Sequence, residues 1–387
     1  MKRFSSFLML ICAALMLSAC ASDAGSAPSS TQATDEVGVV AAISSLVRDI
    51  SSLQDPALAE AAIAASQVPF NAPGCPEVDL IFDLIGFSST ANLQALSETG
   101  GTVLARGTYR YDAESETCTQ TSEGDDLDLS YAYLNAAGET AEAELSIDWD
   151  VDSATLDVAN PAGDLVEVPT NMSASLTASD TEVASVSAVL SWYNADECGT
   201  DEVILEPLSA RASGQIGTIS FSDVGYTIDK NSLNIGASLS AAQGIDAEVE
   251  LGVKGKTERE NCYIDSFETG KGTFSARLDS TVQPDSHSLE LDVKLSDAQF
   301  TDFDVDLGDI SLGTLQGLSA VTLKNGKLRI DNKKAAHFTG VLDDSNANGV
   351  SGENVTINFT AGGSTDLESF LTENDFGTGF EIFYQED

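Results

Sequence analysis

Positive charge is what this sequence has least of. Its 387 residues include 18 lysines and arginines against 62 aspartates and glutamates, a formal net charge of −44. Such a surface repels phosphate backbones, which excludes nucleic acid as a partner. It attracts divalent cations and cationic or envelope partners, and it also serves plain solvation in a salty medium. Histidine is nearly missing: His287 and His337 are the only two. A zinc site of the usual histidine and cysteine kind is therefore poorly supplied. No run beyond the first twenty residues approaches the roughly 18 apolar residues of a membrane-spanning helix. Catalytic motifs are lacking too, with no HExxH, GxSxG or SxxK pattern. Gly255-Lys256-Thr257 ends like a phosphate-binding loop, but Glu250 stands where its first glycine is needed. No residue is nominated as catalytic, and the chain is read as non-enzymatic. Disorder throughout is excluded as well, because 42% of the residues are hydrophobic.

The chain opens with a specific pattern. Lys2 and Arg3 precede a short apolar run from Phe4 to Leu17, which ends in Leu17-Ser18-Ala19-Cys20. This resembles the lipobox of bacterial lipoproteins, an aliphatic residue and two small ones before a cysteine. The resemblance covers only these residues. It implies that residues 1–19 are a cleaved signal peptide and that Cys20 is lipidated. It also implies a membrane contact made through acyl chains, of which two or more are needed for stable anchoring. Ala21 follows the cysteine where an aspartate would resemble inner-membrane retention, so the expected location is the outer membrane of a Gram-negative envelope.

Four cysteines remain in the body: Cys75, Cys118, Cys198 and Cys262. An even number in an exported chain, without CxxC spacing, argues for two disulfides. Three connectivities are open. Pairing of sequence neighbours, Cys75 with Cys118 and Cys198 with Cys262, is favoured.

Residues 20–35 are small and polar, a flexible tether. The segment 36–68 reads as helical. Val40, Ile43, Val47, Ile50 and Leu53 recur at helical spacing, and Asp55-Pro56 reads as the cap and first residue of a second helix ending near Gln67. Residues 69–387 form the body. From about residue 100 the period is two, as in Leu127, Leu129, Tyr131 and Tyr133. Alternation of this kind marks strands with one buried and one wet face, and hence antiparallel sheets. The expected fold is mainly β: an antiparallel β-sandwich or an elongated multi-hairpin sheet, with an N-terminal helical segment. Asn325-Gly326 is expected to be a two-residue hairpin turn, Thr365 and Glu368 a capping box, and Gly214–Gly217 a point of subdivision.

Calcium is the one cofactor the sequence nominates. Asp344, Asn346 and Asn348, followed by Gly349, match the first half of a calcium loop. The second half fails, because Val355 occupies the position of the closing glutamate. The rows Asp148/Asp150/Asp152 and Asp302/Asp304/Asp306 read as solvated strand faces, with neighbours roughly 6.6 Å apart along a strand. The functional expectation is an envelope lipoprotein with a structural, adhesive or partner-binding role. Its rivals are a carrier of an apolar ligand, marked by a crevice, and an envelope-polymer hydrolase, marked by close carboxylates or a serine near a histidine.

Overall fold

The computed structural model describes residues 34–51, 55–69, 72–76, 106–150, 158–159, 165–166, 170–192, 207–229, 231–260, 263–282, 286–300, 318–343 and 352–374. The fold is mainly β, a mostly antiparallel sheet of sixteen strands with a few helices. The chain divides into two compact units. One comprises residues 54–227, the other residues 228–387 together with the segment ending at Leu53.

In the first unit the strands are β1 (Gly107–Asp112), β2 (Thr117–Ser122), β3 (Leu127–Leu134), β4 (Thr140–Asp150), β7 (Asn171–Ala178), β8 (Thr181–Trp192), β9 (Pro207–Ile216) and β10 (Ile219–Asp229). They lie in the order β2-β1-β3-β4-β7-β8-β9-β10. Val158–Ala159 and Leu165–Val166, β5 and β6, form a separate ribbon. All pairs are antiparallel except β1 with β3, which is parallel. Alternation works as the sequence implies: Leu127, Leu129, Tyr131 and Tyr133 all face inward and are buried.

The Pro56–Ser66 helix, α2 in chain order, packs against β3, β7, β8 and β9. Its alanines let it come close, and Ala61 and Ala64 are buried. Tyr131 donates its hydroxyl proton to the Ala64 carbonyl at 2.8 Å, and Tyr133 donates to Glu60. The side-chain amide of Gln67 bonds both backbone groups of Leu134.

Asp55 caps α2 as expected, accepting from the Ala57 amide at 2.9 Å. Its second oxygen accepts from the amide and the hydroxyl of Thr218, at 2.7 and 2.8 Å. Thr218 and Gly217 form the two-residue turn between β9 and β10. Gly217 has φ +60°, and a Cβ there would lie 2.5 Å from the Asp55 carboxylate and 2.6 Å from the Leu58 amide nitrogen. Residues 214–217 therefore do not separate the units. The glycine is needed for close approach of a helix end, and the division falls between Thr227 and Ile228.

The second unit holds α1 (Glu36–Ser51), the strands β11 (Ser232–Ala241), β12 (Ile245–Glu260), β13 (Tyr263–Ser280), β14 (His287–Phe300), β15 (Leu318–Ile330), β16 (Lys333–Asp343), β17 (Val355–Phe359) and β18 (Ser364–Asp366), and α3 (Leu367–Glu373). Each strand pairs antiparallel with its neighbour in sequence. Val39 and Ala42 of α1 share a core with Leu328, Ile330, Ala336, Ile357, Phe359 and Phe370.

Three local readings are corrected here. The buried side of α1 is centred on Val39, Ala42, Leu46 and Asp49; of the expected stripe Val47 is buried too, while Val40 and Ile43 lie at its margin, partly buried against the same core. The helix is apolar over most of its surface, and its phase is set by a buried bond in which Ser280 donates to Asp49 at 2.6 Å. Asn325-Gly326 is no hairpin turn. It lies inside β15, where Asn325 has φ +53° and the register slips against β16. Leu323 and Leu328 are five residues apart, and regular alternation would put them on opposite faces. The bulge brings both inward. The real turn is Asp331-Asn332, with φ +51° and +61°, as the favoured hairpin turn requires. Finally, α3 is capped by Asp366, whose carboxylate accepts from the Ser369 amide at 2.7 Å, rather than by Thr365.

Candidate functional site

The sheet of the second unit presents an apolar floor. Register places Ile235, Leu251 and Phe274 side by side on β11, β12 and β13. The next row runs Ala237, Val249, Ala276, Leu291 and Leu328. At β15 and beyond, these rows are sealed by α1 and α3, and Leu328, Ala336 and Phe359 are buried. On β11 to β14 the same rows are half-covered except at Val293, which is buried opposite Phe274: Ile235, Val249, Leu251, Phe274 and Leu291 keep part of their surface in solvent. The rows beyond are closed again, by Leu233 and Val253 at one end and by Ala241 and Ile245 at the other. Four strands at about 4.8 Å spacing make this floor about 14 Å wide. No charged or polar side chain interrupts it. α1 crosses β13 and β14 beside it.

Charge sits on the opposite face. There Arg329 pairs with Glu290 and Asp292, both at 3.0 Å, and Arg277 pairs with Asp279. These bonds raise both guanidinium pKa values further above their ordinary range. In the first unit, burial together with the nearby Asp148 carboxylate pushes Asp126 up.

Among the residues singled out from sequence, the structure joins Cys75 to Cys118 in a disulfide with Cα atoms 4.6 Å apart. Cys20, Cys198, Cys262 and the Asp344/Asn346/Asn348 loop lie outside the described residues, as do Asp152 and the Asp302/Asp304/Asp306 row. Asp148 and Asp150 are exposed on β4. Among the described residues, no three histidine, cysteine, aspartate or glutamate side chains form a group that could hold a metal ion. His287 stands 3.2 Å from Asp331 beside a hairpin turn, and His337 lies opposite Asn358 on β16. Gly255-Lys256-Thr257 is strand, inside β12, and not a loop before a helix. Among the described residues, no helix is long and apolar enough to cross a membrane.

The floor's residues are visible in the sequence as alternating strands. Their being half-covered is not, because that depends on how far α1 and α3 reach across the sheet. Compared with known protein families, curated proteins and solved structures, the chain matches none.

Proposed function

We propose that this chain is a lipid-anchored, non-enzymatic protein of the bacterial cell envelope, and that its β body holds an apolar chain against the floor formed by β11 to β14. The observation that carries this reading is the partial exposure of Ile235, Val249, Leu251, Phe274 and Leu291 between two buried rows. Apolar area left in water is a standing source of binding free energy, at roughly 25 cal/mol per Å2 covered. A floor without charge selects an aliphatic ligand over a polar one. The anchor rests on Leu17-Ser18-Ala19-Cys20, and the outer membrane is its expected site.

Two measurements test the two halves. Cys20→Ala is expected to leave an uncleaved, unlipidated precursor, while the wild-type chain partitions into detergent. A wild-type chain that begins after Cys20 and carries no acyl group would end the anchor reading. A fluorescent fatty-acid probe is expected to bind the wild-type body. Leu251→Asp should weaken that binding at least about tenfold, from lost apolar contact and a carboxylate placed in the floor. Leu251 is half-covered, so the fold tolerates the change, which circular dichroism checks. Equal probe binding by both proteins would sink the floor as the ligand site.

A further inference from the structure

The outer face of the same strands carries a second surface. Lys254 on β12 lies directly opposite Lys271 on β13, and Lys294 on β14 directly opposite Lys324 on β15. The two pairs occupy adjoining rows, because Lys294 faces Thr273, two residues along β13 from Lys271. All four side chains are exposed. Lys324 stands 3.8 Å from Asp297, while Lys254, Lys271 and Lys294 make no ion pair among the described residues. Like charges directly opposite each other on a sheet are destabilising. Here they occur in a chain with 62 acidic residues, and although Asp297 offsets the second pair, the Lys254/Lys271 pair has no carboxylate partner among the described residues. The arginines of the neighbouring rows are paired in just that way.

We propose that Lys254, Lys271, Lys294 and Lys324 form a docking face for the anionic head groups of a membrane surface. The proposal rests on the lipid-anchor reading, which brings the body to a bilayer. Three observations favour head groups over a protein. The patch is made of lysines, which are depleted from protein interfaces, and not of the arginines and aromatics that anchor them. Its row neighbours, Ser232, Asn234, Gly252 and Thr273, are small or polar and offer no apolar anchor. Two of the strands, β13 and β14, are crossed on their other face by α1, and α1 follows directly on residues 20–35, which can span about 50 Å when extended. The net charge of −44 opposes approach at long range. At physiological salt that repulsion is screened beyond about 8 Å, so the local patch decides which face settles. Lysine suits the task, as a point charge attracted to a field of phosphates without fixed geometry.

The test uses the full mature chain on vesicles of phosphatidylcholine, with and without phosphatidylglycerol. A brief amine-reactive pulse is followed by peptide mass spectrometry. Lys327 and Lys334, exposed on the same face, serve as the internal reference. Labelling of Lys254, Lys271 and Lys294 is expected to slow about fivefold on the anionic vesicles and to recover at about 1 M salt. Equal rates on both vesicles would overturn the proposal. So would equal protection by inorganic phosphate on neutral vesicles, which marks a small-anion site. Protection on neutral vesicles that grows with protein density marks a second copy instead, and also overturns it. Flotation with neutral vesicles reports the anchor separately. Should the anchor be absent, flotation with anionic vesicles alone still supports the patch, and flotation with neither overturns it.

Discussion

Asp55→Ala is expected to destabilise the first unit by about 4 kcal/mol. The cap on α2 contributes about 1 kcal/mol, and hydrogen bonds to an ionised group contribute about 1.5 kcal/mol or more each. Asp55 makes two of the latter with Thr218, and it is buried. Burial alone would raise its pKa, but the bonds from Thr218, Ala57 and Leu58 outweigh it and hold the carboxyl below its ordinary range. The sign of the pH effect follows. A lowered folded-state pKa contributes stability that is present above the unfolded value, near 3.9, and is lost as pH falls through the folded value. Wild type and Asp55→Ala should therefore differ most at neutral pH and converge below about pH 4. Both tryptophans, Trp149 and Trp192, belong to this unit, so urea unfolding followed by tryptophan fluorescence reads it without interference. A constant difference from pH 7 to pH 3 would refute the assignment of the effect to the ionised carboxylate.

Removing the Cys75–Cys118 disulfide by Cys75→Ser/Cys118→Ser is expected to cost the same unit about 2–4 kcal/mol, from the chain entropy of its loop. The loop spans a sequence separation of 43. There is a local contribution as well. Among the described residues no strand pairs beyond β2, which makes β2 an edge strand there. The Cys118 amide donates to the Pro73 carbonyl at 2.9 Å, so the segment 72–76 lies along that edge and occupies it. Losing the bond should free this segment and expose the strand to pairing with other chains. The expected signature is a lower urea midpoint by tryptophan fluorescence, joined by concentration-dependent aggregation. An unchanged midpoint would show that the bond does not stabilise the native unit.

Period-two alternation made the β character legible, because each strand buries only one face. Asp55-Pro56 was legible because a cap followed by proline is a local device. What could not be read was anything that depends on partners far along the chain. Asp49 looks like a solvent-facing residue on α1 until Ser280, on β13, is seen to reach it. The glycines at 214 and 217 look like a flexible joint until Leu58 is placed against Gly217, and Ser185 and Phe221 against Gly214. Asn325-Gly326 carries the residues of a hairpin turn, yet the strand continues through it. The clue was present in the odd spacing of Leu323 and Leu328, and in the Asp331-Asn332 pair that makes the actual turn. The lysine face was missed for the same reason as Asp49. Lys254, Lys271, Lys294 and Lys324 are scattered in sequence, and only strand register brings them together.

The neighbour-to-neighbour pairing of β11 through β18 has a consequence for how the chain is made. Each new strand leaving the ribosome finds its partner in the stretch delivered just before it. α1 is the exception. It is the first described element to be synthesised, and its buried contact with Ser280 spans a separation of 231 residues. At roughly 5–20 residues per second, the sides of Val39, Ala42 and Leu46 have no native partner for tens of seconds. The first helix out is among the last to be covered, and its apolar side stays without its native partners until β13 and the strands after it have been made.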